Sequence, residues 1–151
     1  MLLRCLAVIF LCLALPCTVL AATEIEISSP GEQTIPLGLT KLLSEQGTRA
    51  DRIADEFDEV LSADLDLSGL VRFVDPKSFL DDAGRVGLFS NQVNFPQWRL
   101  LGAETLIKGT YHLDGDNLVV EGRLFDVVNR RLLTGRRYVG QPKDIRRMAH
   151  A

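Results

Sequence analysis

Between Glu104 and Val139 the chain carries three strand-like segments separated by two turn sequences, Asp114-Gly115-Asp116-Asn117 and Asn129-Arg130-Arg131. Glycine, asparagine and aspartate reverse a backbone at little cost, because they tolerate left-handed dihedrals or bond their own main chain. The segments Glu104 to His112, Leu118 to Val128 and Leu132 to Val139 therefore read as consecutive hairpin strands, a three-strand meander. Such a sheet needs an apolar layer against it to be stable. The upstream residues must supply that layer and the rest of the sheet.

They supply it in mixed form. Ile35 to Leu43 is an apolar stretch with Pro36 near its start, which predicts a strand at an edge or one begun through the proline. Thr48-Arg49-Ala50-Asp51 has capping-box spacing, and Ile53, Phe57, Val60 and Leu61 recur at helical intervals. A helix is expected from about Arg49 to Leu65, stopping near Ser68-Gly69, where glycine takes the left-handed cap. Leu70 to Val74 reads as a short strand. Asp75-Pro76 opens a helical turn through Phe79 and Leu80, and a polar loop runs from Asp81 to Val93. Phe95 to Leu101, with Pro96 in its first turn, reads as a second helix. Trp98, the lone tryptophan, is expected against the sheet. Pro142 to Ala151 begins a last helix with Ile145, Met148 and Ala149 on one face. The fold class is α/β (α+β): a small two-layer domain, its mixed sheet ending in the meander and packed against two main helices.

The three cysteines, Cys5, Cys12 and Cys17, all lie in the first seventeen residues. Arg4 precedes an apolar run from Cys5 to Leu15, and small residues follow Pro16, the layout of a secretory signal peptide. The run is shorter than the roughly 18 to 20 residues of a membrane span. Cleavage is expected after Ala21, with Ala22 as the second choice, and no membrane insertion afterwards. Removal of residues 1–21 takes Arg4 from the 17 basic residues and leaves all 20 acidic ones, a net charge of −4. The remaining chain has no thiol, so a disulfide scaffold, a zinc-thiolate site and a cysteine nucleophile are excluded together. A pI near 5.4 argues against nucleic acid as a partner.

Thr23-Glu24-Ile25-Glu26-Ile27-Ser28 alternates polar and apolar residues before Ser29-Pro30-Gly31 breaks the pattern, so residues 22–34 read as an edge strand or a loose arm. The chemistry-bearing residues suggest little catalysis. Asp51, Asp55, Glu56, Asp58, Glu59 and Asp64 lie on the first helix, where carboxylates four apart could hold a hard cation, yet a solvated face explains them as well. Asp114 to Asn117 lacks the rest of a calcium loop. His112 and His150 lack metal-motif spacing. Arg123, Arg130, Arg131, Arg136 and Arg137 make the meander locally basic, suited to cross-strand pairing or to an acidic partner. No nucleophile elbow, phosphate loop or dinucleotide fingerprint is present, and no cofactor is expected.

The order of the pieces resembles the N-terminal domain of the TolB family, periplasmic proteins of the Tol-Pal cell-envelope system. The residues that carry it are Thr23 to Ile27, Ile35-Pro36-Leu37-Gly38-Leu39, Ile53-Ala54-Asp55-Glu56-Phe57, and Asp64-Leu65-Asp66-Leu67-Ser68-Gly69-Leu70-Val71-Arg72-Phe73. They continue through Trp98-Arg99-Leu100-Leu101-Gly102-Ala103-Glu104, Ile107-Lys108-Gly109, Leu124-Phe125-Asp126-Val127 and Ile145-Arg146-Arg147-Met148-Ala149-His150. Where the family often has a Val-Val-Pro-Phe-like run, this chain has Leu39-Thr40-Lys41-Leu42. The resemblance implies an α/β domain over residues 35–151, followed in the family by a β-propeller that contacts the lipoprotein Pal and is absent from this chain. It implies that the arm, and within it Thr23, Glu24, Ile25, Glu26, Ile27 and Ser28, binds the C-terminal domain of TolA, in support of outer-membrane integrity, constriction at division and protein import. The other readings are an outer-membrane assembly or secretion accessory domain similar to the CsgG and LpoB group, and a metal-assisted hydrolase using Asp55 and Glu59.

Overall fold

A computed structural model of the chain describes residues 34–45 and 52–151. Its first strand, β1 (Ile35–Leu39), is followed by the two-residue β2 (Leu43–Ser44), helix α1 (Arg52–Leu67) and strand β3 (Val71–Phe73). β1 and β3 are parallel, with Ile35 opposite Val71, so α1 is the crossover of a βαβ unit. β1 also pairs in parallel with β4 (Thr105–Asp114), and β2 continues along β4 beyond the point where β1 ends. The meander completes the sheet as β5 (Asn117–Asp126) and β6 (Arg131–Gly140), giving the order β3-β1-β4-β5-β6.

β1 is therefore an interior strand, and not an edge. Pro36 is tolerated there because its main chain faces β4 before that strand's pairing starts: the Pro36 carbonyl accepts the Glu104 N–H at 2.9 Å. The start expected at about Arg49 and the capping box expected at Thr48 to Asp51 lie outside the described residues. At the other end the sequence expectation holds. Gly69 adopts φ +65° just after the helix, and its N–H bonds the Asp66 carbonyl at 3.1 Å. We expect Gly69→Ala to lower stability by about 1 kcal/mol, the cost of a left-handed L-residue. An unchanged urea midpoint would show that another contact stops the helix.

The sheet is covered on both faces. On one, Phe57 and Val60 of α1 pack with Ile145, Met148 and Ala149 of the C-terminal helix α3 (Ile145–Ala149) over Tyr111, Leu118 and Val120. On the other, the short helix α2 (Phe95–Leu100) sets Phe95 and Trp98 against Leu106 and Phe125. Strand periodicity divides the two sets: Leu106 and Phe125 point one way, Tyr111 and Val120 the other. The loop expected from Asp81 to Val93 contains a 3₁₀ turn at Asp81–Gly84, while Asp75-Pro76 begins the expected turn, here 3₁₀ over Pro76–Ser78.

Candidate interaction surface

The arm predicted to bind a partner, Thr23 to Ser28, lies outside the described residues. What the structure does give is its point of attachment. The Ile35 N–H donates to the Leu70 carbonyl at 2.9 Å, so the chain from Thr34 onward is built into the sheet between β3 and β4.

On the sheet face that carries α2 lies a polar cluster that sequence reading missed. Lys108 and Asp82 are 2% and 3% exposed, and Lys108 Nζ donates to Asp82 Oδ2 at 2.9 Å and to the Asp82 carbonyl at 2.7 Å. Trp98 Nε1 donates to the same Oδ2 at 2.7 Å, and the Asn94 N–H donates to Oδ1 at 3.0 Å. The Asp82 N–H is taken by Gln97 Oε1 at 3.3 Å. Burial opposes ionisation of the Asp82 carboxyl, but the bonds from Lys108, Trp98 and Asn94 outweigh it and hold the group below its ordinary range. The cluster ties the 3₁₀ turn, α2 and β4 together. One signal for it was present: Lys108 shares a strand face with Leu106 and Thr110, and a lysine in the inward phase of a buried strand needs a carboxylate.

Of the described α1 carboxylates, Asp55, Glu59 and Asp66 are exposed and Glu56, Asp58 and Asp64 half-buried. Asp55 accepts from Lys41 Nζ at 2.7 Å, a bond that raises the Lys41 pKa. Burial raises that of Asp58, with Lys41 opposing. Among the described residues no three His, Cys, Asp or Glu side chains gather into a metal-binding group. Asp51 lies outside those residues. His150 bonds Asp64, which fastens α3 to α1, and His112 Nδ1 sits 3.1 Å from Glu45 Oε2.

On the meander, Arg137 meets Glu121 directly across the strand pair at 3.1 Å, and Arg123 approaches the same carboxylate at 3.4 Å. Arg131 reaches Asp126 at 3.4 Å; the Asp126 carboxyl is held below its ordinary range chiefly by bonds from Asn129. Arg130 and Arg136 have no ion-pair partner among the described residues.

The TolB amino-terminal domain family matches residues 23–133. The chain belongs to that family. The Tol-Pal system protein TolB of Syntrophotalea carbinolica is 57% identical over 127 residues, covering 84% of this chain and 30% of that protein. Its counterpart in Desulfosudis oleivorans is 31% identical over 147 residues, 96% of this chain and 34% of that one. The chain thus spans about a third of the length of these TolB relatives. In fold it is similar to the crystal structure of TolB from Acinetobacter baumannii, with a TM-score of 0.58 at 18% identity over 79% of this chain and 26% of that one. It is similar as well to the LpoB C-terminal domain from Salmonella enterica, with a TM-score of 0.55 at 14% identity over 72% of this chain and 84% of that one. Several segments that resemble TolB domains hold the cores: Trp98, Ala103 and Phe125 belong to one, Phe57 and Met148 to the other.

Proposed function

We propose that the chain is a non-enzymatic interaction module of the Tol-Pal system in the periplasm, and that residues 22–34 bind the TolA C-terminal domain. The family match carries this reading, supported by a signal-like leader and by the position of the arm directly ahead of β1. The alternating Ile25 and Ile27 suit addition as a strand to an exposed sheet edge. Through such contacts the module would support outer-membrane integrity, constriction at division and import. Pal binding is not assigned to this chain, because the resemblance places Pal contact on the propeller that follows this domain. No helix among the described residues is long and apolar enough to cross a membrane.

The test is a titration of the 22–151 chain with the host's own TolA C-terminal domain, read by amide NMR. Shifts concentrated in residues 22–34 are expected. Deletion of residues 22–34 should leave the thermal midpoint within a degree or two and abolish those shifts. Loss of folding in the deletion would make Ile25 and Ile27 core residues and overturn the arm reading. The LpoB-like fold supports a second reading as an outer-membrane assembly or secretion accessory domain. Absence of any response to TolA at saturation would favour that one.

A further inference from the structure

β6 is the long free edge of the sheet, ten residues against three for β3 at the opposite side. Its main-chain groups on the outer side have no strand partner among the described residues, which makes it a template for strand addition. One feature limits where that addition occurs. Between Leu124 and Phe125 the register with β6 shifts, because Leu133 is an extra residue bulged out of the pairing. From Thr134 to Gly140 the pairing is regular, and this seven-residue stretch is the part able to receive a straight partner.

The chemistry of that stretch is one-sided. β6 carries Arg131, Arg136 and Arg137 and no acidic residue. Arg137 is answered by Glu121 within the sheet, whereas Arg136 is exposed and has no ion-pair partner among the described residues. Beside Arg136, on the face that carries α1 and α3, lies an apolar groove of about 190 Å³ lined by Leu61, Ile107, Leu124, Tyr138 and Met148. Its floor is open because Gly122 has no side chain: a Cβ there would meet nothing within 4 Å. A strand added to β6 sends alternate side chains to this face, next to the groove.

We propose that the Thr134–Gly140 edge docks an extended acidic segment of a partner protein as an added strand, with one apolar side chain in the groove and a carboxylate on Arg136. Main-chain bonds supply the affinity in such pairings and side-chain pockets the selectivity. A second copy of this chain fits poorly, since the antiparallel register that pairs Thr134–Gly140 with itself sets Arg137 directly opposite Arg137. The proposal uses no residue of the N-terminal arm and stands apart from the TolA reading.

The experiment uses the labelled chain and two synthetic peptides at low ionic strength: Glu-Thr-Glu-Thr-Leu-Thr-Glu, which as a strand presents glutamates and a leucine on one face, and its lysine counterpart. The acidic peptide is expected to shift the amides of Thr134 to Gly140 and of Gly122, at least tenfold more tightly than the lysine peptide. Arg136→Glu, at an exposed site, and Gly122→Val, whose Cβ has open space and whose methyl groups extend into the groove, should each weaken binding at least tenfold. Equal response to the two peptides, shifts confined to another edge, or no shift at millimolar peptide would overturn the proposal. So would concentration-dependent dimerisation mapped to β6, which would assign the edge to a second copy.

Discussion

Lys108→Met should be among the most damaging single changes in this domain. The substitution keeps most of the apolar stem but removes the charge and its two hydrogen bonds, leaving the Asp82 carboxylate, 3% exposed, without its cation and the Asp82 carbonyl without its donor. Breaking a buried pair by removing one partner costs about 3 to 5 kcal/mol, a large part of the roughly 5 to 15 kcal/mol that hold a small domain together. The Trp98 and Asn94 bonds to Asp82 remain in the variant, but neither carries a compensating charge. Changing both partners, as Lys108→Met with Asp82→Leu, should recover part of the loss, because no charge is then left buried. Full recovery is not expected, since Trp98 Nε1 and the Asn94 N–H lose their acceptor.

The pH dependence separates this account from simple loss of packing. In the native protein the Asp82 carboxyl is depressed, because the bonds from Lys108, Trp98 and Asn94 outweigh the burial that opposes its charge. A group depressed on folding contributes stability above its unfolded value, near 3.9, and loses it as pH falls through the lower folded value. Lys108→Met removes a principal cause of the depression and leaves the burial, so its Asp82 gains a proton more readily when folded. The stability gap between wild type and variant should therefore narrow as pH falls from 7 toward 4, measured by urea midpoints at each pH. A gap that is constant across that range would assign the loss to packing alone.

The elements that were legible in the sequence are those set by periodicity and punctuation. Ile53, Phe57, Val60 and Leu61 announced α1, Gly69 its end, and Asp114 to Asn117 the first hairpin. Strand order was harder, because nothing local to Ile35 to Leu39 says that β3 will take its other side. That depends on α1 returning the chain in parallel, a tertiary event. Asp82 was hidden for a related reason: a carboxylate in a polar loop looks solvated until the loop folds down on β4. The placement of Lys108 was readable from its strand phase, but its partner, 26 residues away, was not. The bulge at Leu133 and the groove over Gly122 arise only when three strands and two helices meet, and no single segment encodes them.

Valine should have opposite consequences at two glycines of the same sheet, and the contrast isolates close approach from strand propensity. At Gly122 the added Cβ meets open space, and β-branched residues favour strands, so the change should be neutral or slightly stabilising. At Gly38 in β1 a Cβ would stand 2.8 and 2.9 Å from two ring carbons of Trp98 and 3.2 Å from Leu106. The indole cannot simply retreat: its Nε1 is bonded to Asp82, and Phe79 abuts it edge to face, with ring centroids 4.9 Å apart. Overpacking of a closed site costs about 1 to 3 kcal/mol, and Gly38→Val should fall at the upper end, because two methyl groups follow the Cβ into the ring. Trp98 is the only tryptophan in the chain, so its fluorescence reports the displacement directly. The expected result is a lowered unfolding midpoint together with a red-shifted native emission, as the ring is pushed from its 1% exposed position. In a Trp98→Leu background, where the clashing ring is gone, Gly38→Val should lose much of its cost, a coupling above about 0.5 kcal/mol. If the two changes are instead additive, Gly38 is required by the backbone of β1 and not by the ring that lies on it.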